Sequence, residues 1–452
     1  MKKLVALLLA AMMLCASVAA LAEAPEGYPE ITRDIDFGGK TIYIYDYWTT
    51  DPSREEEPNE RQQDTYDYQD WLFEQFNCTV VQVAKGGWED NVQKLTDFVM
   101  NHDDTLCFYI LPPDFLGGPL TNNQLEVLNF EGSPVDFTSE KWNPGIKGFS
   151  SIGDSIYGMY VGKSEPRQGI YFNKRVLEEA GIDYNDIYDM QEAGTWTWEA
   201  FETMLKTVHR DIDNDGVIDV YGLTGNNTDM ALISVFANGA SFFDFDENGK
   251  LQITITSDAG IDALKWARET WNTYSMPQPE GTEWNYFEDT FEWGTSAFCC
   301  HQGYAFFGGN PVYGDMEDEI GWVAFPKGPN GTEYTHISTD NVTVIPNVYD
   351  DKTVADMLYF YDLWTNPTPG YEDDDSWADD YYAVASDDRC IEETYAMLRN
   401  TGVMNKALYL GSTNNVLGQD FLWNLFWSDV NSIIEAKTPA WEGLLAIFNG
   451  EQ

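Results

Sequence analysis

Hydrophobic and polar positions along this chain repeat with two periods, and the switches between them predict its elements. Gly38-Gly39 opens an almost unbroken β-branched and aromatic run, Thr41 to Tyr45, which suits a strand covered on both faces. Tyr68, Trp71, Leu72 and Phe76 follow at helical spacing. Thr79 to Val83 reads as a second strand, and Val92, Leu95 and Val99 mark a second helix. Cys107 to Leu111 is a third buried strand, stopped by Pro112-Pro113. The order β, α, β, α, β predicts a mostly parallel α/β sheet, in which ligands sit beyond the carboxyl ends of the strands. Trp48 falls just past the first strand and Asp114 just past the third.

The pattern continues beyond a hairpin-like stretch from Ser151 to Tyr160. Gly169 to Phe172 leads to Asn173, a helix N-cap before Val176, Leu177 and Ala180, with Gly181 as the stop. Thr197 caps a helix whose Phe201, Met204, Leu205 and Val208 form one apolar stripe, and Ser257 caps another with Ile261, Leu264 and Trp271 inward. Asn248-Gly249 predicts a hairpin turn, because Leu251, Ile253 and Ile255 alternate after it. Strands are expected at Gly321 to Phe325 and near Val342 to Ile345. Further helices carry Val354, Met357, Leu358 and Tyr361, and then Leu422, Phe426, Val430 and Ile433.

Composition narrows the partners. The 452 residues include 76 acidic against 25 basic side chains, a formal charge of −51, which argues against phosphate backbones and anionic membrane surfaces as partners. Aromatic residues make up 15% of a chain that is otherwise polar, so many rings are expected outside an ordinary core. Lys2-Lys3, the apolar run Leu4 to Cys15 and the small residues ending at Ala20-Leu21-Ala22 read as an export signal spanning 1–22. The protein is therefore expected at the cell surface, in the periplasm or outside the cell. Leu14 stands where a lipoprotein signal wants a small residue, so no lipid anchor is expected at Cys15. The other five cysteines are odd in number and lack CxxC spacing, which fits buried free thiols.

One loop has ion-binding chemistry. Asp211, Asp213 and Asp215 stand at positions 1, 3 and 5 of an EF-hand-like run, Gly216 at the turn, the Val217 carbonyl at position 7 and Asp219 at position 9. Carboxylates crowded this closely repel one another unless a hard cation neutralises them, so a structural Ca2+ is the expectation. Position 12 is Gly222 rather than Glu, which leaves the shell to be completed from elsewhere. Asp244 to Gly249 fits the first half of the same pattern but is better explained as the hairpin.

Several segments together resemble the family 1 extracellular solute-binding proteins, the maltose-binding-like receptors of ABC sugar importers. They are Asp154-Ser155-Ile156-Tyr157-Gly158, Tyr171-Phe172-Asn173-Lys174 with Glu179-Ala180-Gly181-Ile182-Asp183, and Thr197-Trp198-Glu199-Ala200-Phe201. Ala237-Asn238-Gly239-Ala240, Phe245 to Lys250 and Phe325-Pro326-Lys327-Gly328-Pro329 continue the series in order. The resemblance implies a type II periplasmic-binding-protein-like fold, two hinged α/β lobes with solute in the cleft between them. Lobe 1 would comprise 23–164 and 339–410, and lobe 2 165–338 and 411–452. Crossings would fall near Gly162 to Arg167, His336 to Asp340 and Leu408 to Thr413. It also implies a monomer that binds a carbohydrate and docks on an importer permease, without nucleic acid.

Sugars present apolar C–H faces and a rim of hydroxyls, so a receptor needs aromatic platforms with convergent carboxylates and amides. Trp48, Trp88, Asp114, Glu165, Asn227 and Asp229 are candidates by position. Tyr304, Phe306 and Trp423 follow from the resemblance. A strand-end Trp48 could instead pack between lobes, and Trp423, four residues before Trp427, could be a core helix face. The four histidines are scattered, and HExxH, G-x-S-x-G and P-loop motifs are missing. No catalytic residue is therefore assigned. A glycosidase needs only two suitably spaced carboxylates, so a secreted carbohydrate-active enzyme is one alternative and a sugar-sensing receptor another.

Overall fold

The first buried run forms the middle of a four-stranded sheet. In the computed structural model, Lys40–Asp46 pairs in parallel with Cys78–Ala84 on one side and Leu106–Leu111 on the other. Val342–Val344 closes the far edge antiparallel to Leu106–Leu111. The model describes residues 24–450 except 50–53, 55–56, 89, 308–311, 314–315, 373–375, 383, 386 and 412–413. The expected export signal, Cys15 and Thr413 lie outside the described residues. Helices Glu60–Phe76 and Asp351–Trp364 bury Leu72, Phe76, Met357 and Phe360 with Ile42, Ile44 and Phe108 of the sheet. Each such side chain contributes roughly 1.5–3 kcal/mol on leaving water.

The second sheet has the order Ile320–Ala324, Gln168–Asn173, Ser296–Gln302, Tyr221–Gly225. Only Ser296–Gln302 with Tyr221–Gly225 is parallel, and Gln168–Asn173 runs antiparallel to both its neighbours. The expected mostly parallel arrangement thus describes the first sheet, while the second is mixed. The reason is the point of entry. The chain arrives from the first lobe at the edge where its partner strands end, so Gln168–Asn173 must run away from that edge. Helices Trp198–Val208, Asn227–Ala237 and Asp258–Tyr274 cover this sheet, with Thr197, Asn226 and Ser257 accepting N-cap bonds. Phe243–Phe245 and Leu251–Ile253 form the hairpin expected around Asn248-Gly249.

Two departures matter for the site. Residues 387–395, which the expected boundaries give to the first lobe, pack on the second sheet. Lys174 bonds Asp387 at 3.1 Å, Gln191 bonds Thr394 at 2.8 Å, and Tyr395 lies 6.0 Å from Trp322. The chain therefore already crosses between helix Asp351–Trp364 and residue 387, ahead of the expected third crossing. The late apolar stripe is also two helices, Gln419–Asn424 and Val430–Phe448, because Asp429 caps the second anew. Cys78, Cys107, Cys299, Cys300 and Cys390 are buried and unpaired.

Candidate functional site

At the carboxyl end of the first sheet, Asp46 builds the turn that carries the first candidate ring. Its buried carboxylate accepts from the backbone N–H groups of Trp48 and Thr49 at 3.2 and 3.0 Å, and from Gln82 Nε2 at 2.8 Å. Held this way, Trp48 stays 47% exposed and meets Tyr47 edge-to-face at 4.8 Å. Tyr47 in turn donates its hydroxyl to Asn341 Oδ1 at 2.9 Å, on the second connecting segment. Trp88 follows the second strand, 41% exposed and 4.6 Å from Phe115. Asp114 occupies the single turn Pro113–Phe115 after the third strand. Three strand ends thus supply three of the candidates to one edge.

The matching edge of the second sheet gathers the others. Asn227 and Asp229 open helix Asn227–Ala237, just past Tyr221–Gly225, and Tyr304 follows the parallel strand Ser296–Gln302. Tyr304 is 39% exposed and lies 5.5 Å from the His301 ring, edge-on. Phe306 belongs to the same short helix, Tyr304–Phe307. Asp229 is 5% exposed, and its carboxylate accepts from Gln302 Nε2 at 3.0 Å and Gln168 Nε2 at 3.3 Å. Burial pushes its carboxyl above the usual range, against those two bonds and the neighbouring His301.

The connecting segments lie between these edges. Glu165 ion-pairs with Arg167 at 3.0 Å and donates its backbone N–H to Asp340 at 3.1 Å. Arg167 is the common neighbour of both walls. Burial raises the phenols of Tyr47 and Tyr304, and the Arg167 charge opposes that rise at both; Asp114 adds to it at Tyr47, Asp229 at Tyr304. Tyr47 and Tyr304, on the two edges, thus both feel the Arg167 charge, which Glu165 pairs directly, and Trp88 stands against Phe115 beside Asp114. Trp423 is placed differently. It is 36% exposed and pairs with Trp427 at 5.4 Å, and among the described residues no ring contact joins it to Tyr304 or Trp48.

Sequence reasoning missed the residues that set this geometry: Tyr47, Gln168, Gln302 and Arg167. Each stands at a strand end or in a connection at the same edges as the candidates, which was the only signal available. Trp284 was also missed. It is 62% exposed and continues the ring series Tyr304, His301, Phe287 at 6.1 Å from Phe287. A cavity of about 840 Å³ lies to one side, between Asp114–Gln124, Tyr409–Gly411 and the end of the last helix. Asp114 alone among the candidates lines it.

In the acidic loop, carboxylate oxygens of Asp211, Asp213 and Asp215 lie within 4.8 Å of one another. Asn214 and Gly216 take positive φ values of 62° and 89°, which fold the run back on itself. Asp219 accepts from the Ile212 N–H at 2.6 Å instead of pointing away. The donor set is all oxygen and suits a hard divalent cation.

Residues 120–390 match the family model described as bacterial extracellular solute-binding protein. Among solved structures, the chain is similar to M. tuberculosis UspC, with 13% identity and a TM-score of 0.63 over 89% of this chain and 100% of that one. The cyclic alpha-maltosyl-1,6-maltose binding protein from Arthrobacter globiformis gives 15% identity and a TM-score of 0.59 over 90% and 98%. UgpB from Mycobacterium tuberculosis, in complex with glycerophosphocholine, gives 15% and 0.58 over 88% and 98%. At these identities the likeness establishes the fold. No curated protein matches by sequence.

Proposed function

This chain belongs to the bacterial extracellular solute-binding proteins, and we propose that its solute is a carbohydrate, an oligosaccharide, presented to an ABC importer permease by a monomer. The observation that carries this reading is that the carboxyl-end edges of both sheets carry solvent-exposed rings beside fixed acceptors. Trp48 and Trp88 stand with Asp114 on one wall, and Tyr304 stands with Asp229 and Gln302 on the other. Rings stack on the C–H faces of a pyranose, and carboxylates and amides take its hydroxyls. Trp284 extends the ring series outward, which favours more than one sugar unit. A cyclic maltoside receptor and a maltotetraose complex among the similar structures agree with it.

Ligand that touches both walls favours the closed arrangement in proportion to its differential affinity for that state. Glu165, Asn227, Phe306 and Trp423 complete the proposed ligand set. The acid-rich cleft favours neutral or cationic cargo over anionic cargo. Residues 1–22 act as the export signal in this reading, and Ca2+ at Asp211, Asp213, Asp215, Val217 and Asp219 is a structural ion. Calorimetry against mono- and oligosaccharides, with and without calcium, tests the proposal. Stoichiometric reversible binding without product supports it. Released product would mean an enzyme, and failure of all neutral saccharides to bind would end the carbohydrate reading.

A further inference from the structure

The first two segments that join the lobes, and the stretch 398–404 that follows residues 387–395, meet at one buried side chain. His336, with no exposed surface, lies on the second segment, where His336–Ser338 pairs in parallel with Gly402–Met404 of that stretch. Its Nδ1 accepts the backbone N–H of Arg167 on the first segment at 3.3 Å, and its Nε2 lies 3.1 Å from the Leu398 carbonyl. A backbone N–H can only donate and a carbonyl can only accept. The ring is therefore the neutral tautomer with its proton on Nε2. Neighbouring bonds reinforce the node: Ile337 N–H to Gln168 Oε1 at 2.9 Å, and Thr335 Oγ1 to the Thr401 carbonyl at 2.6 Å. Gly402 packs so tightly that a Cβ there would sit 2.9 Å from Nε2.

We infer that His336 is the positioning residue of the hinge, tying the first two connecting segments and the 398–404 stretch together while neutral and letting the lobes change their angle when it is protonated. The mechanism is one of donor count. A second proton on Nδ1 would face the Arg167 N–H donor to donor, and the link between first and second segments would open. The charged groups facing the ring are Asp340, which favours imidazolium, and Arg167, which opposes it. The 398–404 stretch contributes the Leu398 carbonyl, which also favours the cation, and Glu165 acts by pairing with Arg167. Burial outweighs these and holds the imidazole down to about 4. Gln168 extends the node to the site, since its amide also holds the Asp229 carboxylate. The inference deepens the solute-binding reading, because a loosened hinge would release cargo in acid.

The test is run without sugar, so its outcome stands apart from the identity of the cargo. In the mature chain, fluorophores on Met100→Cys and Trp293→Cys, exposed positions on opposite lobes, report the interlobe distance. The native described cysteines are buried and stay unlabelled. Energy transfer is followed from pH 7 to 3.5, with far-UV circular dichroism confirming a folded chain. A one-proton change in distance centred near pH 4 is expected, coincident with the His336 ring resonance. H336N retains an acceptor toward Arg167 and H336Q a donor toward Leu398, and neither titrates, so both are expected to stay flat. If the wild type keeps a constant distance while folded, or either folded variant reproduces the transition, the inference is overturned. Should both variants fail to fold, a wild-type transition that tracks a different histidine overturns it equally.

Discussion

The two walls of the cleft present similar chemistry but hold it in different ways. On the first, Trp48 is set by a turn three residues long, with Asp46 accepting from Trp48 and Thr49 directly after the strand. On the second, the Asp229 carboxylate is fixed by Gln168 and Gln302, which are 61 and 73 residues away in sequence. The first wall depends on local hydrogen bonding and its rings stand free of the core. The second depends on strand pairing, and its polar groups are buried with the core. Mutations on the two walls should therefore separate binding from stability.

The largest expected effect is on affinity. Trp48→Ala removes an exposed platform and should weaken sugar binding about 10- to 100-fold, equivalent to roughly 1.4–2.8 kcal/mol. Its urea midpoint should stay near wild type, as surface substitutions usually do. Tyr304→Ala is expected to match it in binding but to lower stability as well, since the ring also covers buried His301. Calorimetry with chemical denaturation on both variants checks the contrast, and equal stability losses on the two walls would erase it.

Next is the buried network of the second wall. Gln302→Ala leaves the Asp229 carboxylate short of a donor and should cost about 1–3 kcal/mol of stability. Because burial raises the folded-state carboxyl of Asp229, ionisation works against folding there. The contribution is present at low pH and is lost as pH rises through the folded-state value. Asp229→Asn should accordingly flatten part of the pH dependence of the melting temperature.

A smaller effect of the same sign is expected far from the cleft. Burial raises Glu126 to about 7 in the folded protein. Its favourable contribution is full below pH 4.5 and declines to nothing as pH passes about 7. Glu126→Gln should thus melt higher than wild type at pH 8 and show no advantage at pH 4. Smallest is calcium. At a hundredfold excess over its dissociation constant, an ion bound only by the folded state stabilises by about 2.7 kcal/mol at most. A partly formed shell should give less. Asp213→Ala should abolish whatever shift in melting temperature calcium produces, without changing sugar affinity.

Much of the local structure was readable in the chain itself. The run Thr41 to Tyr45, the stop at Pro112-Pro113 and the N-caps Asn173, Thr197 and Ser257 encode their structures within a few residues. Trp48, Trp88 and Asp114 stand out as candidates because a parallel sheet delivers its strand ends to one edge. The mixed second sheet, the return of 387–395 to it and the break before Asp429 were not readable, since each follows from where distant segments meet. Gln168, Gln302 and Arg167 look like ordinary polar residues until pairing sets them beside Asp229, Tyr47 and Tyr304.

Periodicity, caps and turns are short-range physics, and they determined which stretches became strands and helices and where the first aromatic ring would emerge. Tertiary structure alone decided which acids are buried, which rings lie against each other, and that Arg167 and Leu398 share the imidazole of His336. Those outcomes depend on desolvation and on hydrogen-bond partners supplied from more than 60 residues away. No local pattern carries that information, because the energy of a buried polar group is set by what surrounds it rather than by its neighbours in sequence.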